Sequence, residues 1–164
     1  MGAGKTTIGR ALGRRLHLRF MDSDHEIEER TGVSIRTIFE LEGEAGFRAR
    51  ESSTIADLTL RQGIILATGG GAILQEETRH NLRERGIVIY LRARPEDLYK
   101  RTKHDRDRPL LQTEDPLGKL RDLLAARKPF YEETAHIVVD TADQGVPRLI
   151  ANIERELLTF QPSI

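Results

Sequence analysis

MGAGKTTIGR, residues 1–10, is the stretch that decides the fold of this chain. Within it, Gly4, Lys5 and Thr6 match the closing half of the phosphate-binding pattern G-x-x-x-x-G-K-[ST]. Apolar residues at helical spacing begin directly behind it, at Ile8. Backbone N–H groups at a helix start attract phosphate, the lysine reaches the β- and γ-phosphates, and the hydroxyl can bind Mg²⁺. The stretch therefore predicts a nucleotide-binding loop that leads into a helix.

Short apolar runs rich in β-branched residues recur along the chain, at residues 64–67, 87–91 and 136–139. Such runs are typical of buried parallel strands. A fourth apolar piece, residues 18–21, ends in two acids. Polar helical segments separate the runs, which indicates βα units on one parallel sheet. The predicted helices after the first cover residues 26–30, 35–42, 44–61, 76–85, 95–103, 117–133 and 146–158.

Length and composition narrow the classes of function. The 164 residues suit a single domain, residues 1–164. Because 26 Lys and Arg balance 26 Asp and Glu, we expect no uniformly basic surface for nucleic acid or anionic membrane. The absence of cysteine excludes disulfides and thiolate metal sites. With no membrane-length apolar run and no secretory signal pattern, a cytoplasmic protein is expected.

Two carboxylates follow the apolar piece at residues 18–21. Asp22 and Asp24 are two residues apart, so on a strand both would point to the same side of the sheet. They would then lie at the carboxyl end of the sheet, where open α/β folds bind ligands. One could hold Mg²⁺ through water, and the other could accept a proton from a substrate hydroxyl. The alternative is that Asp24 only caps the helix that follows.

Glycines and arginines supply further candidates for ligand binding. The triple glycine in residues 68–72 follows a predicted strand, where it would let a ligand approach exposed backbone N–H groups; the alternative is a flexible turn. Guanidinium groups suit carboxylates and phosphates, although solvated surface charge is the ordinary role of an isolated arginine. The five histidines show no metal-ligand spacing. The arginines that stand out are Arg48, Arg101, Arg108 and Arg127.

Six blocks, taken in order, resemble shikimate kinase of the bacterial type: GAGKTTIGR, DSDHEIEERTG, IFELEGEAGFRARE, ATGGGA, RPLL and RKPFYEE. The resemblance runs from Met1 to about Asp140. It implies an α/β three-layer P-loop kinase fold, with a parallel sheet of five strands in the order 2-3-1-4-5 flanked by helices. It also implies a monomeric, Mg²⁺-dependent enzyme that uses ATP to phosphorylate the 3-hydroxyl of shikimate, in chorismate and aromatic amino acid biosynthesis.

The resemblance also assigns residue roles. It implies a lid at about residues 103–116, a shikimate-binding helical region at about residues 24–61, and an adenine site completed near residues 142–147. The implied catalytic residues are Lys5, Asp24 and Arg108. The implied ATP-binding residues are Gly2, Ala3, Gly4, Lys5, Thr6, Thr7, Arg101 and Arg108. The implied substrate-binding residues are Asp24, Phe39, Phe47, Arg48, Glu51, Gly69, Gly70, Gly71 and Arg127. The implied Mg²⁺ residues are Thr6 and, through water, Asp22.

Two other interpretations stay open from the sequence. One is a different small P-loop kinase, such as a gluconate kinase, whose substrate is also a carboxylated polyol. The other is an N-terminally truncated, inactive nucleotide-binding fragment, because the family's central first strand and the first glycine of its phosphate loop are absent from this chain. Each unpaired buried backbone group costs about 1 to 3 kcal/mol, against about 5 to 15 kcal/mol for a whole domain. We therefore expect the chain to be unstable or poorly active.

Overall fold

The computed structural model describes residues 3–104 and 112–162 of the chain. Within these ranges, four short strands, seven α-helices and one 3₁₀ turn (Ala72–Leu74) follow one another. The strands are β1 (Arg19–Asp22), β2 (Ile64–Ala67), β3 (Ile89–Arg92) and β4 (Ile137–Asp140). The helices are α1 (Lys5–Leu16), α2 (Ser23–Thr31), α3 (Ile35–Leu58), α4 (Glu76–Arg85), α5 (Pro95–Thr102), α6 (Pro116–Thr134) and α7 (Val146–Thr159).

Local signals set the helix boundaries close to where the sequence predicts them. Ser34 caps α3, its side chain accepting the Thr37 N–H. The two predicted helical stretches on either side of Gly43 join into α3, with a kink at Gly43, where φ is 71° and ψ −175°. A positive φ is costly for residues with a Cβ, so glycine permits this break. Caps and glycines act within a few residues, which is why sequence alone locates them.

Two strands begin later than the apolar runs suggest. The sequence predicted strands over residues 87–91 and 136–139, whereas β3 begins at Ile89 and β4 at Ile137. The Val88 N–H donates a hydrogen bond to the His136 side chain, at Nδ1 and 3.0 Å, instead of to a backbone carbonyl of a neighbouring strand. The regular ladder therefore starts one residue beyond this contact, with Ile89 opposite Ile137.

The sheet consists of two separate parallel pairs, β1 with β2 and β3 with β4. The resemblance implied five strands in the order 2-3-1-4-5. Without the central strand 1, the pairs 2-3 and 4-5 remain, and these correspond to β1–β2 and β3–β4 of this chain. A cavity of about 460 Å³ lies between β2 and β3, lined by apolar side chains of both strands and of α1. The prediction of strands buried on both faces is therefore only partly right, because Ile64, Ile65 and Leu66 are half-buried beside this cavity.

Helices α1 and α7 pack together and contact strands of both pairs. Their main core contains Ile8, Leu12, Val139, Leu149 and Ile153. A second small core, formed by Ile27, Ile38 and Phe47, fixes α2 against α3. Among the residues described, no helix is long and apolar enough to cross a membrane. This packing places the start of α1, the end of β1 and the glycine segment after β2 next to one another.

Candidate active site

The predicted nucleotide loop leads into α1 as expected. Gly4 adopts a left-handed conformation with φ of 85°, and no side chain caps the helix after it. The first N–H groups of α1 are therefore available to an anion, with Lys5 beside them. Thr6 and Thr7 are exposed in this first turn, and Ala3 is buried against Leu98 and Leu120. Gly2 lies outside the described residues.

The two predicted acids lie on different elements. Asp22 ends β1 and caps α2, its Oδ1 accepting the N–H groups of Asp24 at 2.9 Å and His25 at 3.3 Å. Asp24 lies in the first turn of α2, so the prediction that both project from one strand is wrong: the helix begins immediately after Asp22. The alternative that Asp24 caps this helix is also wrong, because Asp22 does so.

Asp24 is an unusual carboxyl group. Burial raises its pKa, and the negative charge of Asp22 raises it further, while the charges of Lys5 and Arg48 oppose both. Its Oδ1 is buried with no hydrogen-bond partner among the described residues. A half-buried carboxyl group whose pKa is raised by burial and opposed by two nearby cations is a common feature of catalytic sites.

Arg48 and Glu51 form a buried pair one turn apart on α3. Arg48 Nη1 donates to Glu51 Oε1 at 2.8 Å, and the side chains are 13% and 1% exposed. Burial raises the pKa of Glu51, while the hydrogen bond and charge of Arg48 and the charge of Arg127 lower it. The second Glu51 oxygen has no partner within the described chain. Arg127, on α6, is itself buried and close enough to act on this carboxylate.

The triple glycine packs directly against these side chains. A Cβ added to Gly69 would lie 3.0 Å from Glu51 Oε2 and 3.5 Å from Asp24 Oδ1. A Cβ on Gly71 would overlap the Arg48 guanidinium. These two glycines therefore let the backbone approach Asp24, Arg48 and Glu51 closely, while the predicted approach of a ligand to this segment stays a prediction.

An aromatic pair forms one side of the same region. The rings of Phe39 and Phe47 lie 4.7 Å apart, tilted by 31°. Phe47 is buried and Phe39 is 38% exposed. The Arg48 guanidinium lies 5.2 Å from the Phe47 ring centroid. The two rings therefore form an apolar wall beside the charged cluster.

Tyr131 belongs to this region and was missed from the sequence. It lies one turn after Arg127 on α6, and its Oη donates to the Gly70 carbonyl at 2.6 Å. The available signal was the spacing in RKPFY, which places residues four apart on the same helical face.

A second cavity, of about 340 Å³, contains the predicted adenine residues. It is lined from α5 by Arg101, Lys100 and Asp97. The remaining lining residues, Thr141, Asp143, Gln144 and Gly145, come from the segment after β4. The structure thus brings together Arg101 and the stretch near residues 142–147. Arg108 and residues 105–111 of the predicted lid lie outside the described residues.

Unsatisfied polar atoms concentrate at the first site. Four of the five buried side-chain polar atoms without a hydrogen-bond partner in residues 3–104 and 112–162 belong to Ser23, Asp24, Arg48 and Glu51. Buried polar groups are ordinarily satisfied, because leaving one unpaired costs about 1 to 3 kcal/mol. The unpaired polar atoms therefore cluster around Asp24, Arg48 and Glu51.

The described residues contain no cluster of three or more His, Asp or Glu that could hold a metal ion alone. A Mg²⁺ ion that is bound mainly through phosphates needs only one or two protein oxygens. The Thr6 hydroxyl is exposed at the start of α1, and Asp22 uses only Oδ1 for capping. These residues fit such an ion.

The fold and this site together define a small α/β phosphotransferase of the P-loop type. The family model for shikimate kinase matches residues 1–158. Shikimate kinase of Ralstonia nicotianae is 58% identical over 157 residues, covering 96% of this chain and 83% of the relative. That of Burkholderia pseudomallei is 59% identical, with 96% and 85% covered. The chain therefore belongs to the shikimate kinase family, whose members are kinases that use ATP as co-substrate.

Solved structures agree with this assignment. Shikimate kinase from Acinetobacter baumannii in complex with shikimate matches with a TM-score of 0.93 and 49% identity, covering 99% of this chain and 91% of that one. A gluconokinase from Sinorhizobium meliloti matches with a TM-score of 0.56 at 18% identity, which shows a common fold only. The family confirms the kinase predicted from the sequence, in preference to a gluconate kinase.

Proposed function

We propose that this chain catalyses ATP-dependent phosphorylation of the 3-hydroxyl of shikimate, giving shikimate 3-phosphate and ADP. The observation that carries the proposal is the convergence of Asp24, Arg48 and Glu51 on the glycine segment, beside the uncapped start of α1. Membership of the shikimate kinase family and the likeness to a structure in complex with shikimate support it.

Shikimate requires a cation for its carboxylate and an acceptor for the reacting hydroxyl. Arg48 and Arg127 are the buried cations of the site, and we assign them to the carboxylate. Asp24 accepts the hydroxyl proton or holds the hydroxyl in line with the phosphate. Glu51 keeps the Arg48 guanidinium in place, and Phe39 with Phe47 covers the ring. The glycine segment, through Gly69, Gly70 and Gly71, offers backbone N–H groups to the ring hydroxyls.

ATP binds with its phosphates at the start of α1. Lys5 and the first N–H groups of this helix neutralise the β- and γ-phosphates, and the ribose and adenine extend toward the cavity at Arg101. Thr6 and, through water, Asp22 would hold Mg²⁺, which supplies charge neutralisation on the phosphate oxygens. Positioning and neutralisation are most of what phosphoryl transfer requires.

We also propose that residues 1–164 act as one domain, in which residues 24–61 form the shikimate-binding region. We also propose a cytoplasmic monomer, and the balance of 26 basic and 26 acidic residues supports the expectation that it has no nucleic-acid or membrane partner.

The direct test offers shikimate and gluconate side by side, with ATP and Mg²⁺, and measures ADP release in a coupled assay. Product identity is read by ³¹P NMR. We expect a phosphate monoester of shikimate only. Phosphorylation of gluconate, or ADP release that does not depend on either acid, would contradict the proposal.

A further inference from the structure

Tyr131 connects α6 to the glycine segment over a long sequence distance. Its hydroxyl and the Gly70 carbonyl are 2.6 Å apart, although 61 residues separate them in the chain. The tyrosine ring stacks on Tyr90 of β3, with centroids 4.8 Å apart and planes 20° from parallel. Because the ring is held against a strand, the position of its hydroxyl is fixed relative to the sheet.

The Gly70 carbonyl differs from those of its neighbours. Gly69 accepts the Ala72 N–H and Gly71 accepts the Leu74 N–H, both at 3.1 Å, so the local turn satisfies these two carbonyls. The Gly70 carbonyl instead receives its hydrogen bond from a side chain on another element. The orientation of this one peptide unit is therefore decided by tertiary structure.

That peptide unit borders the acid-binding residues. A trans peptide is planar, so fixing the Gly70 carbonyl also fixes the plane that ends at the Gly71 Cα. At Gly71 there is no room for a Cβ beside the Arg48 guanidinium. A rotation of the Gly70–Gly71 peptide would therefore change the space available to Arg48.

We propose that Tyr131 is a positioning residue for the acid substrate: its hydroxyl holds the Gly70–Gly71 peptide against Arg48 and so sets the shape of the carboxylate-binding pocket. This inference rests on the proposed function. Tyr131 lies on the same face of α6 as Arg127, so one helix supplies both a cation for the carboxylate and the group that orients the opposite wall.

The chemistry of the hydroxyl agrees with this role. Burial raises the pKa of Tyr131, while the charge of Arg127, its side-chain hydrogen bond to the Tyr131 hydroxyl and the charge of Arg48 lower it. The phenol therefore keeps its proton throughout the neutral range and acts as a donor to the carbonyl.

The experiment compares Tyr131→Phe with Tyr90→Phe. Both variants keep the stacked rings, but only the first removes a hydrogen bond, since the Tyr90 hydroxyl makes none within the described residues. We expect Tyr131→Phe to raise the calorimetric Kd and the KM for shikimate about 3- to 10-fold, the range for one neutral hydrogen bond. The kcat and the KM for ATP should stay within about twofold, and Tyr90→Phe should match wild type.

A double-mutant cycle tests the connection to Arg48. In an Arg48→Lys background, we expect the Tyr131→Phe effect on shikimate Kd to shrink, because the pocket wall then has no guanidinium to position. An unchanged shikimate Kd in Tyr131→Phe would overturn the inference. Equal losses of shikimate affinity and Tm in Tyr131→Phe and Tyr90→Phe would also overturn it, because they would show that ring packing alone causes the effect. A wild-type chain that binds ATP but no shikimate would instead overturn the proposed function on which this inference rests.

Discussion

The Arg48 guanidinium and the Glu51 carboxylate form a buried ion pair on α3, with Nη1 2.8 Å from Oε1. Arg48 Nε and Glu51 Oε2 are both buried without a hydrogen-bond partner in the described part of the chain. The pair therefore fixes one side of the guanidinium, and Glu44 Oε1 lies 3.6 Å from the Arg48 Nε on another side. A guanidinium held in this way loses little side-chain freedom when it binds an anion.

Replacing Arg48 with alanine should mainly weaken shikimate binding. A hydrogen bond to a charged group contributes about 1.5 to 3 kcal/mol, so we expect the KM for shikimate to rise about 10- to 100-fold. The KM for ATP should change little, since the phosphates are assigned to α1. Steady-state kinetics with each substrate varied in turn measures this split.

Arg50→Ala is the matched control for that variant. Arg50 lies two residues away on α3 and pairs with Glu42 through an exposed ion pair. Such surface pairs contribute little, so its kinetics should match wild type. Loss of ATP affinity in Arg48→Ala would show that the assignment of the two substrate sites is wrong.

Asp24→Asn should abolish turnover while ATP still binds. Loss of a general base typically lowers kcat about 10²- to 10⁴-fold. Single-turnover kinetics measures the chemical step, and calorimetry with a non-hydrolysable ATP analogue measures binding. Asp57→Asn, an exposed carboxylate on α3, is the control. If Asp24→Asn kept more than about a tenth of wild-type kcat, Asp24 would not be the proton acceptor.

The same substitution should stabilise the fold near neutral pH. The pKa of Asp24 is raised in the folded state, chiefly by burial, so folding favours the protonated carboxyl. Wild-type stability should therefore increase as the pH falls through this raised pKa. Asparagine resembles the protonated form, so its Tm should exceed that of wild type at a pH of about 7.5 and approach it as the pH falls toward about 4. A Tm difference that does not vary with pH would show that the raised pKa of Asp24 is not the cause of the stabilisation.

Gly71→Ala should disturb the pocket without preventing folding. Its φ of −91° suits alanine, but the new Cβ would displace the end of the Arg48 side chain. We expect the KM for shikimate to rise about tenfold, as for one weakened charged hydrogen bond. Gly86→Ala is the control, because a Cβ there would meet only the Leu82 carbonyl at 3.8 Å. Equal kinetics for the two alanine variants would show that the space left by Gly71 for the Arg48 side chain does not matter for shikimate binding.

Filling the cavity between β2 and β3 should stabilise the chain. The cavity is lined by both strands and reaches Ala3, so a strand fused ahead of Met1 would run into α1. We expect a five-residue valine- and isoleucine-rich fusion to raise the Tm by about 5–10 °C, at about 2–4 °C per kcal/mol, and to raise kcat. The control is a fusion of equal length made of Gly and Ser. Identical Tm and kcat for both fusions would show that apolar side chains placed in this cavity contribute no stability.

Secondary structure was predictable where the signals are local. The start of α1 behind Gly4, the cap at Ser34 and the break at Gly43 all depend on neighbouring residues. The placement of Asp24 could not be predicted from local signals, because the alternation of side chains along a strand applies only if the strand continues beyond Asp22. Here the Asp22 side chain accepts two N–H groups and starts α2 instead.

The sequence by itself determined the βα order and the loop at Lys5 that leads into α1, and its resemblance to a known family predicted which side chains bind an acid. Only the tertiary structure decided that Tyr131 contacts Gly70 while Arg48 lies against Gly71, and that the sheet divides into two pairs around a cavity. The physical reason is the distance along the chain over which each kind of interaction acts. Caps, turns and helical periodicity act over a few residues, whereas burial, pKa shifts and the Tyr131 hydrogen bond depend on groups that packing brings together from distant parts of the chain.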